Sequence, residues 1–367
     1  MTGNIIGNNF VLMSFGESHG KCVGCVVDGC PAGLLLSEKD IQRELDRRRP
    51  GQSELTTTRK EIDEVEILSG VFEDYTTGAP ICMIIWNKDI DSTKYKHVKY
   101  EPRPGHADYT AAIRYGGFND HLGGGRFSGR ITASYVMAGA IAKKLLREIL
   151  NIEILAHTTE IGGIKAVRRS LDEIREADSN PVRCADPETA KQMITRINEV
   201  QAEKDSVGGA IQCIALNVPA GLGDPVFNTL EGDLSKALYA IPAVKSVEFG
   251  SGVDAARMTG SQHNDPFALR EGKVITLSNY AGGILGGISN GMPITCRITI
   301  KPTASIGKPQ QTVDLRNMKE TTIEIEGRHD PCIVPRAVPV VEAMVALVLV
   351  DHAISANLIP RVLERKT

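Results

Sequence analysis

The sequence lacks a basic excess: 42 Lys and Arg stand against 45 Asp and Glu, for a net charge of −3. Nucleic-acid and membrane-surface proteins usually need the opposite balance, so neither class is expected, and any anion site must be basic locally. Long apolar runs are also missing. The longest, 343–350, is closed off by Glu342 and Asp351 and falls well short of the ~20 residues that cross a bilayer, so it reads as a buried helix. Residues 1–10 hold no Lys or Arg and no long apolar stretch, unlike a signal or transit peptide, which makes a cytoplasmic location the expectation.

A second cysteine pair is absent as well. Cys22-x-x-Cys25 has redox or zinc spacing, but Val23, Val26 and Val27 predict a strand that points the two thiols to opposite faces, and no further pair completes a metal site. The eight cysteines sit mostly among Val, Ile and Ala, where a thiol packs as a small hydrophobe and no disulfide framework is implied. There is no Walker A loop, because 123–130 has no Gly-Lys-Ser/Thr. Nor is there a dinucleotide fingerprint: 281–287 is glycine-rich but lacks the G-x-G-x-x-G order and joins two apparent strands.

What the chain does contain is a globular composition and enough residues to bury a full core, as one large domain or two ordinary ones. Helical periodicity runs over 37–49, 128–150, 187–204, 230–241 and 339–355, and apolar alternation marks strands near 80–86, 210–217, 273–277 and 294–300. The expected class is α+β. The chain also repeats itself. Gly70-Val-Phe-x5-Gly78-x-Pro80-Ile81 matches Gly283-Ile-Leu-x5-Gly291-x-Pro293-Ile294, and upstream Pro31-Ala32-Gly33-Leu34 matches Pro219-Ala220-Gly221-Leu222. These matches imply a duplicated strand-loop-helix-strand unit in pseudo-symmetric halves, about 1–100 and 205–310, within a single domain over 1–367. The loops of 100–128 are inserted between the halves, and polar 167–189 reads as a surface excursion.

Residues that carry chemistry concentrate in glycine- and proline-bounded loops. In 15–20, Phe-Gly-Glu-Ser-His-Gly, the glycines permit close ligand approach, while Ser18 and His19 supply a hydroxyl and a group that titrates near neutrality. The alternative is a turn whose Ser and His bond the backbone. Segment 101–110 stiffens its backbone with Pro102, Pro104 and Gly105 and presents His106 and Asp108 beside Arg103, either as a positioned acid or as an internally bonded His-Asp pair. Segment 123–130, Gly-Gly-Gly-Arg-Phe-Ser-Gly-Arg, opens the longest helical pattern, so backbone N–H groups, a helix N-terminus and the guanidiniums of Arg126 and Arg130 form an anion cradle; flexible glycines capping a helix are the alternative. The loops 301–305 and 327–331 each place a cation and small polar groups between prolines. Arg47, Arg48 and Arg49 end the first helix, where cations complement the dipole by ~0.3–1 kcal/mol, but three exceed that need. With Arg126, Arg130, Lys301 and Arg328 they can neutralise a substrate that carries carboxylates and a phosphate.

Taken in order, FGESHG at 15–20, DRRRPGQS at 46–53, RPGHADYT at 103–110, GGGRFS at 123–128, KPTASI at 301–306 and GRHDPC at 327–332 resemble the chorismate synthase family over essentially the whole chain. The resemblance implies a β-α-β sandwich protomer in a homotetramer. It implies a lyase that eliminates phosphate 1,4 from 5-enolpyruvylshikimate 3-phosphate to give chorismate, for aromatic amino acid biosynthesis. The family requires reduced FMN although the net reaction is redox-neutral. By the same resemblance His106 is the acid toward the departing phosphate, His19 protonates reduced flavin, and Asp330 works with flavin N5 in removing the C6 hydrogen. Ser18, Arg48, Arg49 and Arg130 fit the substrate's polar and anionic groups, and Arg48 also fits NADPH as a source of reductant. Flavin contacts carried over are Arg126, Phe127 and Ser128, then Gln262, His263 and Gly286, then Lys301, Pro302, Thr303, Ala304 and Ser305, and Arg328. The chain departs from the family where Phe127-Ser-Gly-Arg-Ile131 replaces small residues followed by Ala-Arg-Glu, and where Glu54 replaces a frequent Arg. With no added reductase domain, reduced flavin is expected from elsewhere.

Two other classes stay open at this level. A flavoprotein oxidoreductase would consume reduced flavin stoichiometrically and release no phosphate. A non-catalytic anion binder would use its histidine loops only to bond their neighbours.

Overall fold

The computed structural model describes residues 3–51, 55, 61–88, 95, 97–325 and 329–364; Glu54 and Arg328 lie outside them. Two five-stranded antiparallel sheets enclose a layer of helices. The first holds β1 (Ile5–Ile6), β2 (Val11–Gly16), β3 (Cys22–Asp28), β4 (Val65–Ile67) and β5 (Ile81–Trp86), ordered β1-β2-β3-β5-β4. The second holds β6 (Glu153–Ile161), β7 (Ile164–Lys165), β8 (Gly209–Leu216), β9 (Val244–Phe249) and β10 (Ile294–Ile300), ordered β7-β6-β8-β10-β9. The helices are α1 (Glu38–Arg48), α2 (Asp108–Arg114), α3 (Thr132–Leu150), α4 (Pro187–Ala202), α5 (Leu230–Tyr239) and α6 (Val334–Ser355), besides shorter turns.

Without the edge strands β1 and β7, the orders β2-β3-β5-β4 and β6-β8-β10-β9 are the same, and the chain visits equivalent strands in the same succession. α1 links β3 to β4 as α5 links β8 to β9, and each sheet is followed by a long central helix, α3 or α6. The equivalence takes in β6 and α6, beyond the stretch that repeats in sequence. The repeated glycines have a physical reason. Gly70 and Gly283 hold φ of 84° and 85°, each leading into a tight hairpin, and a Cβ there would lie 2.8 Å from Pro80 O or 2.5 Å from Pro293 O. Only glycine fits both the left-handed backbone and the contact.

Local signals explain the elements. Ser37 N donates to Asp40 Oδ2 at 3.0 Å and starts α1, which buries Ile41 and Leu45. α3 and α6 form the centre of the sandwich, and Gly139 lets them approach: a Cβ on it would lie 2.3 Å from Ala343 Cβ. α6 is long and apolar enough to cross a membrane, yet 94% of its most apolar stretch is buried inside the protein, so it is a core helix. One hydrophobic core runs from Phe10 to Ile359 across both sheets.

Two expectations need correction. α6 begins at Val334 rather than at 339, with Pro335 in its first turn and Pro339 inside it. Pro339 has no N–H for the Pro335 carbonyl, and Arg183 Nη1 donates to that carbonyl instead, at 2.8 Å. The polar stretch 167–189 is no mere surface excursion: Ile174, Ala177 and Ala185 are buried against Ile214 and Leu216 of the second sheet. The expected strand near 273–277 forms as Lys273–Thr276 and pairs with Phe267–Arg270 in a hairpin apart from the two main sheets. Cys22 is half-buried and Cys25 fully buried, as alternation along β3 requires, and burial pushes the Cys25 thiol far up.

Candidate active site

A cavity of about 560 Å³ opens where the loops between the two halves meet the C-terminal end of α1, the first turns of α6 and the 239–244 and 301–305 segments. Its histidines are seated by glycines. Gly123 and Gly124 hold φ of 59° and 84°; a Cβ on Gly123 would lie 2.2 Å from the His19 ring, and one on Gly124 would lie 3.2 Å from the His106 ring. The glycine run is therefore a seat for two imidazoles and not the N-terminus of a long helix. Two 3-10 turns, Leu122–Phe127 and Gly129–Ile131, intervene before α3 begins at Thr132. Tyr95 meets the His19 ring edge-on, with centroids 5.2 Å apart.

His106 is oriented by the residue two positions on. Its Nδ1 lies 2.7 Å from Asp108 Oδ1; a carboxylate can only accept, so the hydrogen is assigned to Nδ1, and Nε2 is the acceptor, 3.3 Å from Arg103 Nη2. Arg103 grips both oxygens of Asp108, at 2.7 and 2.8 Å, and reaches Ser305 Oγ at 3.0 Å. Burial pushes the Asp108 carboxyl up, but its bonds to Arg103 and His106 win and hold it well below the usual carboxylate range.

The floor is cationic. Arg48, from the last turn of α1, donates to Thr132 Oγ1 at 3.1 Å, Asp63 Oδ2 at 3.1 Å and Gly129 O at 2.7 Å. Arg130 pairs with Asp63, lies 3.3 Å from Glu61 and donates to Asn87 Oδ1 at 3.1 Å. Arg336 pairs with Asp330 and donates to Arg48 O at 3.2 Å. Burial, with Arg336 and Arg130 nearby, pushes the Arg48 guanidinium down to about 9, while Asp63 opposes the shift. Burial also lowers Lys301, whose Nζ donates to Gly105 O at 2.6 Å. Cations thus outnumber carboxylates on the cavity wall of a protein that is acidic as a whole.

The structure gathers most of the expected residues on this wall: Ser18, His19, Arg48, His106, Arg126, Phe127, Ser128, Arg130, the run from Lys301 to Ser305, and Asp330. Two of them have other work. Arg126 spends its guanidinium on Gly16 O at 3.0 Å and Ser14 O at 3.2 Å, tying its turn to β2, and Ser128 Oγ accepts from Arg130 N at 3.2 Å. Other expected residues sit elsewhere. Arg49 pairs with Asp46 at 3.3 Å outside the cavity. Gln262 and His263 lie in the short turn Gly260–His263, where His263 Nε2 is 3.0 Å from Ser251 Oγ, and Gly286 lies in the hairpin of Ile284–Leu285 and Ile288–Ser289. Sequence reasoning missed Glu61, Asp63, Tyr95, Tyr239 and Arg336. None stands in a glycine-bounded loop, and the acidic pair sits in a stretch of mixed charge with no periodic signal.

Two titratable loops over a basic, partly enclosed cavity in an α+β sandwich are the make-up of an enzyme site for a small molecule. A sequence profile of the family described as chorismate synthase matches residues 10–354. The chorismate synthase of Dehalococcoides mccartyi is 54% identical over 363 residues, covering 99% of this chain and 100% of that one. Those of Korarchaeum cryptofilum and Methanosarcina acetivorans are each 56% identical, over 96% and 99% of this chain and 98% and 100% of their own. A crystal structure of a chorismate synthase superposes with a TM-score of 0.75 at 31% identity, covering 96% of this chain and 93% of that one. The chain belongs to the chorismate synthase family, carbon-oxygen lyases of the shikimate pathway.

Proposed function

We propose that the chain converts 5-enolpyruvylshikimate 3-phosphate to chorismate by 1,4-elimination of phosphate, with reduced FMN bound beside the substrate. The observation that carries this reading is the pair of histidines seated on Gly123 and Gly124 above a floor of arginines. Bound reduced flavin would supply transient electron donation that helps phosphate leave a neutral ring. The cavity suits such a pair of ligands in volume and charge, and Arg130 Nη2 is buried on its wall without a hydrogen-bond partner. Phe127, Ser128 and the 301–305 loop would hold the flavin.

In its doubly protonated form, with Nδ1–H held by Asp108, His106 would hand the Nε2 proton to the departing phosphate, and His19 would hold the proton that reduced flavin needs. Arg48 and Arg130 would bind the substrate's anionic groups; Arg48 is also the residue that would meet NADPH. Asp330, paired with Arg336 and with Thr303 Oγ1 donating to its carbonyl at 2.8 Å, would face the C6 hydrogen. The reading extends to a single domain with pseudo-symmetric halves, a cytoplasmic enzyme and a homotetramer. The last is supported by the place of Gln262, His263 and Gly286, which fits flavin contacts reaching a neighbouring protomer's cavity. Light scattering on a sizing column checks the assembly.

Anaerobic incubation with the enolpyruvyl substrate and chemically reduced FMN tests the activity. Chorismate absorbance and free phosphate should appear together, many turnovers per flavin. One equivalent of flavin oxidised per turnover, without phosphate, would mean an oxidoreductase instead.

A further inference from the structure

The guanidiniums of Arg48 and Arg130 converge on one carboxylate, Asp63, which is 3% exposed and does not itself line the cavity. Its Oδ2 takes Arg48 Nη1 and its Oδ1 takes Arg130 Nη1, one oxygen for each arginine. The backbone of Asp63 is left-handed, with φ 54°, a conformation that a residue with a side chain adopts only when its surroundings demand it. Arg130 is further fixed by Asn87 and Glu61, which leaves Nη2 as a buried donor with no hydrogen-bond partner. Arg48 is likewise fixed by Thr132 and Gly129.

We infer that Asp63 is a positioning residue: it locks Arg48 and Arg130 at a set spacing, so that their remaining donors meet one anionic group of the substrate in reacting geometry. Without it the two cations, with Arg336 close by, repel one another and settle on other partners. The cavity would then attract anions more strongly but hold them less well placed, because electrostatic catalysis depends on donors fixed in advance. This inference rests on the reading of the cavity as the anion site.

Asp63→Asn keeps the shape and removes the charge. In folded protein, turnover of the enolpyruvyl substrate should fall at least tenfold, while inorganic phosphate, titrated by calorimetry, binds at least fivefold tighter. Asp63→Glu keeps the charge but moves it by one methylene, so phosphate affinity should stay within twofold of wild type while turnover again falls. A merely structural counterion gives a different result: fewer binding sites per chain, unchanged phosphate affinity and activity lost in proportion. That outcome, or wild-type turnover in Asp63→Asn, overturns the proposal. Should Asp63→Asn fail to fold, wild-type turnover in Asp63→Glu overturns it. If wild-type protein binds neither phosphate nor substrate, the reading of the cavity falls with it; if wild-type protein works and the variants match it, only the role of Asp63 falls.

Discussion

Arg47 and Arg48 are neighbours at the end of α1, both largely withdrawn from water, and they have opposite surroundings. Arg47 forms a two-pronged pair with Glu342, at 2.6 and 2.9 Å, and also reaches Glu44 at 2.8 Å and Asp178 at 2.7 Å. Lys143 joins Glu342 at 2.7 Å and Glu44 at 2.9 Å, and Ala156 N adds a bond to Glu342 Oε1 at 3.2 Å. Burial works against the charge on Arg47, but Glu342, Glu44 and Asp178 outweigh it and raise its pKa; burial pushes Glu342 up, but Lys143 and Arg47 bring it down to about 2. Arg48 has one carboxylate, shared with Arg130, and its pKa falls. Burial is common to both, so it cannot be what marks a site. Charge balance does: a cluster whose carboxylates equal or exceed its cations is complete, whereas one with surplus cations has room for an anion.

Breaking the matched cluster should have the largest effect. Glu342→Ala takes from Arg47 and Lys143 the most buried of their carboxylates, leaving them to share Glu44, with Asp178 on Arg47, and should cost about 3–5 kcal/mol in urea denaturation while KM of the folded fraction stays unchanged. The pH dependence follows from the depressed carboxyl. Its stabilisation is present in full above its ordinary value near 4.5 and is lost as pH falls toward 2, so Glu342→Gln should flatten the acid limb of the stability curve. Asp108→Asn comes next, because an amide that donates to His106 Nδ1 keeps the ring neutral and blocks the doubly protonated form that gives up a proton. Turnover should fall by about 10²-fold with KM little changed, followed by anaerobic stopped flow, and nitrogen NMR should show the hydrogen moved to Nε2. Arg48→Met should raise KM by about tenfold, or ~1.4 kcal/mol, yet shift stability by less than about 1 kcal/mol, since it removes a surplus cation. If it destabilises the protein as much as Glu342→Ala, charge balance is the wrong criterion. The smallest effect is inorganic phosphate, which should raise the melting temperature of wild type by a few degrees and that of Arg48→Met by less.

The parts of the fold that could be read in the sequence are those set locally. Ser37 stands where the helical pattern of α1 begins, and Gly70 and Gly283 recur at matching places in the repeat, because in each case the residue type answers to its own backbone. That His19 and His106 meet at one cavity follows from the same cause, because stiff or glycine-bounded loops leave room around a titratable group; whether such a group does more than bond its neighbours was left open by the sequence. The division of labour between Arg47 and Arg48 was not legible. Two identical side chains differ only in what the tertiary fold brings to them, Glu342 from 295 residues away in one case and Asp63 in the other. Glu342 itself showed in the sequence only as the break before an apolar run. The start of α6 was misplaced because its missing bond is made good by Arg183, 152 residues away from Pro335.

That last arrangement couples a distant segment to the cavity. Arg183 Nη1 holds the Pro335 carbonyl, and its Nη2 donates to Arg47 O at 2.5 Å, so one side chain from the 170–186 segment closes the gap in α6 and pins the end of α1. Both ends carry cavity residues, Arg336 on one and Arg48 on the other. With that segment displaced from the second sheet, the opening turns of α6 would lose this bond and the end of α1 its anchor. A change far out on the second sheet should therefore register at the cavity, through Arg336 and Arg48, while the core stays folded.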